Sequence, residues 1–424
     1  MSANQELLNR IKIAGRDLAK TEEDKINDFL KKLSQTISDN VSLIIDENKK
    51  DLAKMDSQNP KYDRLKLTED RIGNIVKEIQ TVAALPSPLN QILEQKTLPN
   101  SLEISRISVP LGVIGIIYES RPNVTTDVFA LCFKTGNSCI LKGGSDAFYS
   151  NTVLVKIIKD LLHKENLNPD FITLLPPERE SVNLLFTAND LVDVIIPRGS
   201  QQLINFVREN SQVPVIETGA GVCHTYYDKF GDLEKAIPII LNAKTRRVSV
   251  CNALDCLVIH ESKLQELAKI SENLKKHEVE IKADEKAYQV LESNYPDNLL
   301  HKAEDEDFGQ EFLGYKMAVK TVANVDEAVD HINNFGSGHS EAIISENQEN
   351  IDKFLTQIDA AAVYANTSTA FTDGAQFGLG SEIGISTQKL HARGPMGLRE
   401  LTSYKWIIRG NGQVRDDNTS SCQI

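Results

Sequence analysis

The chain has 424 residues, 41% of them hydrophobic and 25% charged, the balance of an ordinary soluble enzyme with enough length for about two or three domains. A formal net charge of −13 sets its surface against nucleic acid and anionic membranes, although a locally basic pocket can still take a small anion. No stretch nears the roughly 18 apolar residues of a membrane span, and the opening Met-Ser-Ala-Asn-Gln-Glu lacks the basic and apolar regions of a secretory signal.

Up to about Leu85 the chain reads as amphipathic helices. Leu7, Leu8, Ile11 and Ile13, then Ile26, Phe29, Leu30, Leu33 and Ile37, recur near helical spacing among Lys and Glu. Such faces predict packing over a sheet. From Gln95 to Val109 the pattern changes to strand, turn and strand, with Pro99-Asn100-Ser101 at the turn. Polar residues alternate on both arms, so this hairpin cannot bury itself and needs another surface.

Between Val109 and Thr218 short apolar runs alternate with helical stretches. The runs are Val113–Tyr118, Ser138–Lys142, Phe171–Leu175, Val192–Ile196 and Val213–Glu217, with helices predicted over Val124–Lys134 and Ala147–Lys164. This is the pattern of a parallel sheet covered on both faces, hence an α/β fold. Ligands of such sheets bind beyond the carboxyl ends of the strands. The strand ends here are Glu119-Ser120-Arg121, Lys142-Gly143-Gly144-Ser145, Pro197-Arg198-Gly199-Ser200 and Glu217-Thr218-Gly219.

A second alternating region runs from Leu233 to about Val363. Its very polar middle, Lys275–Lys286 and again His301–Asp307, reads as a surface excursion. Ser403–Ile408 is strand-like, and a Gly-rich stretch follows it.

No G-x-G-x-x-G follows the first strand, and Gly410-Asn411-Gly412 lies outside any βαβ unit, as a turn would. Leu141-Lys142-Gly143-Gly144-Ser145-Asp146 stands at a strand-to-helix junction. Lys142 there either bonds ribose or phosphate oxygens at a helix N-terminus or is a solvated lysine beside a capped helix.

The six cysteines form no C-x-x-C pair and no disulfide framework, which fits a reducing, cytoplasmic location. The eight histidines show no H-x-x-x-H or H-E-x-x-H spacing, so no catalytic metal is expected. Cys132 and Cys256 lie in apolar contexts suited to packing. Cys251 follows Lys244, Arg246 and Arg247, cations of the kind that favour a reactive thiolate.

At this segment the chain resembles the gamma-glutamyl phosphate reductases, the glutamate-5-semialdehyde dehydrogenase branch of the aldehyde dehydrogenase superfamily. The resemblance rests on Val109–Gly115 leading into Tyr118-Glu119-Ser120-Arg121-Pro122-Asn123, on Ile140–Ser145, Ile196–Ser200 and Val215–Gly219, and on Asn242–Thr245 through Ser249-Val250-Cys251-Asn252-Ala253. It continues through Gly338-His339-Ser340-Glu341-Ala342-Ile343, Phe371–Thr387 and His391–Pro395, so it covers nearly the whole chain.

The resemblance implies an aldehyde dehydrogenase-like α/β architecture of two parallel-sheet domains and a small β element. The expected NADP-binding domain takes residues 1–94 and 109–232, and the catalytic domain residues 233–385. The oligomerisation element takes 95–108 and 386–424, which implies a homodimer or homotetramer. Cys251 would be the nucleophile, Asn123 with the Cys251 backbone N–H the oxyanion hole, and Glu217 would stand where oxidative relatives keep a general base. Lys142, Gly143, Ser145, Gly199, Ser200 and Glu311 would serve the cofactor. Relatives that prefer NAD tend to carry Glu where this chain has Ser145, so its absence favours NADP.

The implied reaction is NADPH-dependent reduction of L-glutamate 5-phosphate to the 5-semialdehyde and phosphate, the second step of proline biosynthesis from glutamate. It passes through a thioacyl enzyme, and an efficient hydrolytic base at Glu217 would waste that intermediate. The substrate's phosphate and carboxylate need cations, for which Arg121, Arg198, Arg246, Arg247, Lys389, His391 and Arg393 are candidates, each equally readable as a structural ion pair. Channelling from glutamate kinase is left open.

Two departures accompany the match. Family members often carry Thr-Gln-Arg-Pro-Ser-Val-Cys where this chain has Thr245-Arg246-Arg247-Val248-Ser249-Val250-Cys251, and many have Arg at the position of Ala370. Arg246 would then replace the cation lost at Ala370. Val222 stands where Asn is common, and nothing in the sequence explains it. The rival readings are an ordinary aldehyde dehydrogenase oxidising a free aldehyde with NAD, and a non-catalytic scaffold of the same fold.

Overall fold

The computed structural model describes residues 3–415, apart from 58, 60 and 179. Helices α1 (Ala3–Leu18), α2 (Glu23–Asp39), α3 (Val41–Leu52), α4 (Tyr62–Leu65) and α5 (Glu69–Ala84) open the chain. The hairpin of β1 (Ile92–Thr97) and β2 (Glu103–Pro110) follows. A first parallel unit then alternates β3 (Val113–Tyr118), α6 (Asn123–Lys134), β4 (Ser138–Gly143), α7 (Phe148–Lys164), β5 (Ile172–Leu174), α8 (Glu180–Phe186), β6 (Val194–Arg198) and α9 (Gln201–Asn210). Its strand order is β5-β4-β3-β6, parallel throughout.

The period-two alternation of strands explains why both faces of this sheet are covered. Ile114, Ile116, Cys139, Leu141, Val194 and Ile196 point into one core, shared with Phe29, Leu30 and Leu33 of α2, Ile72 and Ile75 of α5, and α6 and α7. Val113, Ile117, Ile140 and Ile195 point the other way, against Leu8 and Ile11 of α1 and residues of α8 and α9. The N-terminal amphipathic helices thus pack over the sheet as their spacing predicts. Each fully buried aliphatic side chain contributes roughly 1.5–3 kcal/mol.

The second unit runs β7 (Cys223–Tyr227), α10 (Leu233–Thr245), β8 (Leu254–His260), α11 (Leu267–Lys276), β9 (Glu280–Ala283), α12 (Glu285–Leu291), β10 (Leu300–Lys302), β11 (Lys316–Val322), α13 (Val325–Phe335), β12 (Ser340–Ile344), α14 (Gln348–Gln357) and β13 (Ala362–Ala365). Its sheet has the order β10-β9-β11-β8-β7-β12-β13 and is also parallel. Two-residue strands β14 (Ile385–Ser386) and β15 (Gly394–Pro395) pair antiparallel, and β16 (Thr402–Arg409) joins β2, giving the sheet β1-β2-β16.

Three sequence expectations change. Val213–Glu217 is not a strand and meets the first sheet at a single bridge, Ile195 to Val215, because Pro214 has no N–H to give a ladder. Lys275–Lys286 is not a surface excursion, since it contributes the end of α11, all of β9 and the start of α12, whereas His301–Asp307 lies at the surface as expected, with Asp307 its one buried residue. Only Ile281 and Ala283 of the four-residue β9 turn inward, too few for the segment to read as apolar. By sheet membership, the division placed at 232 falls before Cys223, because β7 lies between β8 and β12.

Candidate active site

The two large sheets present opposite edges to the site. The first offers loops beyond the carboxyl ends of its strands: Glu119–Asn123 after β3 and Gly199–Ser200 after β6. The second offers residues just before its strands begin: Gly221 and Val222 before β7, Cys251 and Asn252 before β8, and His339 before β12. Because β7, β8 and β12 are parallel, these lead-in residues share one edge.

The approach to Cys251 starts at α10, whose first N–H groups are satisfied by the Asp232 carboxylate, which accepts from Glu234 at 2.7 Å. The chain then turns to Cys251 and is pinned by Asn252. The Asn252 Nδ2 donates to the Thr372 carbonyl at 2.9 Å, and its own carbonyl accepts from Thr369 Oγ1 at 2.9 Å. Cys223 Sγ donates to the Cys251 carbonyl at 3.1 Å. His339 Nε2 lies 3.1 Å from Cys251 Sγ, a contact that the chain's spacing of 88 residues does not reveal.

Although Cys251 is half-buried as a residue, burial around its sulfur pushes the thiol up to about 12, opposed chiefly by the charges of Arg198 and Arg121. Glu382 and Glu311 raise it further. The cations expected to favour a thiolate are therefore not the ones in place. Lys244 is fully buried, donates to the Leu254 carbonyl at 2.8 Å and sits 3.7 Å from Asp255, while Arg246 and Arg247 are exposed. Charged partners upstream in sequence are not charged partners in space.

Arg121, Asn123 and Arg198 line a cavity of about 210 Å³. Arg121 is pulled down to about 10, first by burial and then by the neighbouring charge of Arg198. Asn123, the first residue of α6, donates its Nδ2 to Asp127 at 2.8 Å. Four carboxyls missed by the sequence reading share this cavity: Glu78, Asp127, Asp373 and Glu382. Burial and the nearness of Glu78 hold the Asp127 carboxyl well above its usual range. Glu78 comes from α5, far back in the chain, so no local motif could have shown it.

Glu217 is placed elsewhere. Its carboxylate lies 3.4 Å from Arg208, and its backbone N–H donates to Gln388. The acids acting on Cys251 are Glu311 and Glu382 instead. Glu311 accepts from the Gly221 N–H at 3.1 Å. His391 is exposed and meets the Glu400 carbonyl at 2.7 Å, while Lys389 and Arg393 both pair with Asp359, at 2.6 and 2.8 Å. Of the expected anchors, Arg121 and Arg198 are the ones the fold gathers at the cavity.

Among the residues expected to serve the cofactor, Lys142 is only 6% exposed, and its amine donates to the carbonyls of Gly143 and Pro177, both at 3.1 Å. It is not a solvated lysine. Ser145 is exposed at the start of the short helical turn after β4. Gly199 precedes α9, and Ser200 caps it. The Ser200 N–H donates to the Glu119 carboxylate at 3.3 Å, so this helix start already receives an anionic oxygen.

Packing also gathers His224, Cys256 and His331, whose ligand-type atoms all lie within 4.8 Å of one another in the interior. His224 Nδ1 is 3.1 Å from Glu341, and His331 is ringed by Phe308 and Phe335. Cys132 and Cys256 are buried, as their contexts predict.

The Aldehyde dehydrogenase family model matches residues 17–290 and 301–407. Gamma-glutamyl phosphate reductase of Legionella pneumophila (strain Paris) is 57% identical over 416 residues, covering 97% of this chain and all of that one. The enzyme of the same name from Bacteroides fragilis is 57% identical over 405 residues, covering 96% and 98%. The chain belongs to the gamma-glutamyl phosphate reductase branch of the aldehyde dehydrogenase family. The crystal structure of the Thermotoga maritima gamma-glutamyl phosphate reductase superposes with a TM-score of 0.92 at 40% identity, covering 97% of this chain and all of that one. An engineered glycolyl-CoA reductase, at 14% identity and a TM-score of 0.68 over 96% of each chain, shares the fold. Membership makes this chain an oxidoreductase with the α/β fold of that family, as expected from its motifs. No helix among the described residues is long and apolar enough to cross a membrane.

Proposed function

We propose that this chain catalyses the NADPH-dependent reduction of L-glutamate 5-phosphate to L-glutamate 5-semialdehyde and phosphate, the second step of proline biosynthesis, with Cys251 as nucleophile. The observation that carries it is a thiol set beside a cavity that holds two arginines and several carboxyls, within a chain 57% identical to enzymes named for this reaction. The Cys251 sulfur attacks the γ-carbonyl, phosphate leaves, and a thioester remains. NADPH, when bound, supplies the hydride that takes the thioester carbon to the aldehyde level. Asn123 donates to the carbonyl oxygen as negative charge develops there, exchanging its hydrogen bond to Asp127 for one to the substrate.

The substrate is also an amino acid. Arg121 and Arg198 suit its anionic ends, and the carboxyls of Glu78, Asp127, Asp373 and Glu382 suit its α-ammonium. With Glu217 tied to Arg208, water activation at that residue is not part of this reading.

For the cofactor, Lys142, Gly143, Ser145, the α9 start at Gly199 and Ser200, and Glu311 are the residues assigned. A buried amine with two replaceable carbonyl partners and a helix N-terminus that accepts a carboxylate fit a dinucleotide phosphate. Ser145 leaves space for a 2′-phosphate, which favours NADP over NAD.

The sheet β1-β2-β16 exposes Tyr404, Trp406 and Ile408 at 52%, 44% and 56%, alternate residues of one strand and so on one face. We assign that face to a second copy of the chain in a homodimer or homotetramer. A smaller hydrodynamic size for Trp406→Glu would support the assignment, and an unchanged one would discard it.

The central test is the reverse assay with glutamate 5-semialdehyde and NADP. Oxidation should require inorganic phosphate and should vanish in Cys251→Ala. Phosphate-independent oxidation would identify a free-aldehyde dehydrogenase, and no activity in the native chain would favour a scaffold.

A further inference from the structure

Cys251 is a weak nucleophile as it stands. Burial pushes its thiol up to about 12, so almost none is thiolate at neutral pH, and the arginines nearby do not reverse this. Something must take the proton as the sulfur attacks. Glu217 is committed to Arg208. His339 is the group in contact, with Nε2 3.1 Å from Sγ.

The other side of the ring is organised for that task. Nδ1 lies 2.7 Å from Ser340 Oγ, Ser340 Oγ lies 2.6 Å from Thr372 Oγ1, and Tyr364 Oη lies 2.7 Å from the same Thr372 Oγ1. With Nδ1–H donating to Ser340, each hydroxyl can pass its proton outward along the chain, and Nε2 presents a lone pair to the sulfur. The alternative neighbour of Nδ1, Cys223 Sγ, is farther at 3.8 Å and is engaged with the Cys251 carbonyl. Thr372 also holds the nucleophile's own loop, since its carbonyl accepts from Asn252. One loop therefore fixes both the sulfur and the ring.

We propose that His339 is the general base that removes the Cys251 thiol proton and returns it when the product leaves, its tautomer set by Ser340, Thr372 and Tyr364. The proposal rests on Cys251 being the nucleophile. In the forward direction the S–H proton passes to Nε2 as the S–C bond forms, and the C–O bond to phosphate then breaks. Phosphate takes its own proton from solvent. After reduction of the thioester by NADPH, the C–S bond breaks, the electron pair returns to sulfur, and imidazolium gives its proton back. Cysteine and histidine end as they began, and the net reaction consumes one proton from solvent.

The surrounding charges agree with a neutral ring at rest. Burial is the largest influence and draws His339 down to about 4, while the carboxyls of Glu341 on β12, Glu311 before β11, Glu382 after β13 and Asp255 on β8 act in the opposite direction. Neutral imidazole beside neutral thiol is the state from which a base works. A preformed imidazolium would have no lone pair to offer.

The test is the pH dependence of kcat/KM in the reverse reaction for the native chain, His339→Gln and Cys251→Ala. The native profile should be flat through neutrality and fall as pH drops through about 4, where the ring takes its proton. His339→Gln can still hydrogen-bond the sulfur but cannot carry a proton. It should lose about 10²–10⁴-fold at neutral pH and gain about tenfold per pH unit as solvent hydroxide takes over the base's work. An unchanged rate and profile in His339→Gln, with Cys251→Ala inactive, overturns the role of His339 alone. An active Cys251→Ala overturns the nucleophile assignment beneath it. Should His339→Gln fail to fold, Ser340→Ala carries the test: a kcat about tenfold lower with KM unmoved supports the proposal, and a native kcat overturns it.

Discussion

The backbone of Gly221 passes so close to Cys251 that a β-carbon on it would lie 1.7 Å from the Cys251 carbonyl oxygen. Only glycine allows the lead-in to β7 and the lead-in to β8 to touch, and the N–H of the same residue donates to Glu311. Three groups of the site are thereby set by one missing side chain.

Gly221→Ala should therefore displace the Cys251 loop. Misplacing a reacting group by about 1 Å can cost roughly 10²-fold in rate, so kcat in the phosphate-dependent assay should fall by that order or more. The circular dichroism of the folded chain should be retained. A variant with native kcat would mean that the two loops separate freely and that their contact is incidental.

Asn123 stands at the first position of α6, with its amide already oriented by Asp127. Asn123→Ala should lower kcat by about 10²–10³-fold with little change in KM, because the lost hydrogen bond matters most as charge builds on the oxygen. Steady-state kinetics at saturating NADP separate the two parameters. A rise confined to KM would make Asn123 a binding residue and empty the proposed oxyanion hole.

The cavity singles out Arg198 and Arg121 from the candidate anchors, and Lys389 and Arg393 serve Asp359. Charged hydrogen bonds contribute roughly 1.5–3 kcal/mol, or about 10–100-fold in affinity. Arg198→Gln should raise the KM for phosphate or semialdehyde by that factor, and Lys389→Gln should leave both near native. The reverse ranking would move the substrate out of this cavity.

Lys244 and Asp255 are almost wholly inaccessible, at 0% and 3% side-chain exposure, with 3.7 Å between their charged atoms. Burial lowers Lys244 and lifts Asp255 to about 7, so for both partners desolvation outweighs pairing. Removing one partner strands the other. Asp255→Ala should destabilise the fold by about 3–5 kcal/mol in urea unfolding, whereas replacing both residues by Met and Leu should cost much less. Equal losses in the single and double variants would show that the pair is not coupled.

Much of this molecule is legible in one dimension. Strands that bury both faces must be continuously apolar, and helices that cover them must carry an apolar stripe, so Val113–Tyr118 and the repeats of α2 disclose a layered α/β fold without any partner in view. The order of motifs around Asn123, Lys142 and Cys251 discloses the family for the same reason: each depends on its immediate neighbours. Three-dimensional closeness is the part a linear pattern omits. His339 meets Cys251 across 88 residues, Glu78 reaches the cavity from α5, Lys244 turns away from the cysteine it precedes, and Pro214 removes a strand that its apolar neighbours suggest. Electrostatics and hydrogen bonds act through space and depend on burial, so which histidine, which arginines and which carboxyls lie near the sulfur was decided only when parallel strands brought their leading ends to one edge.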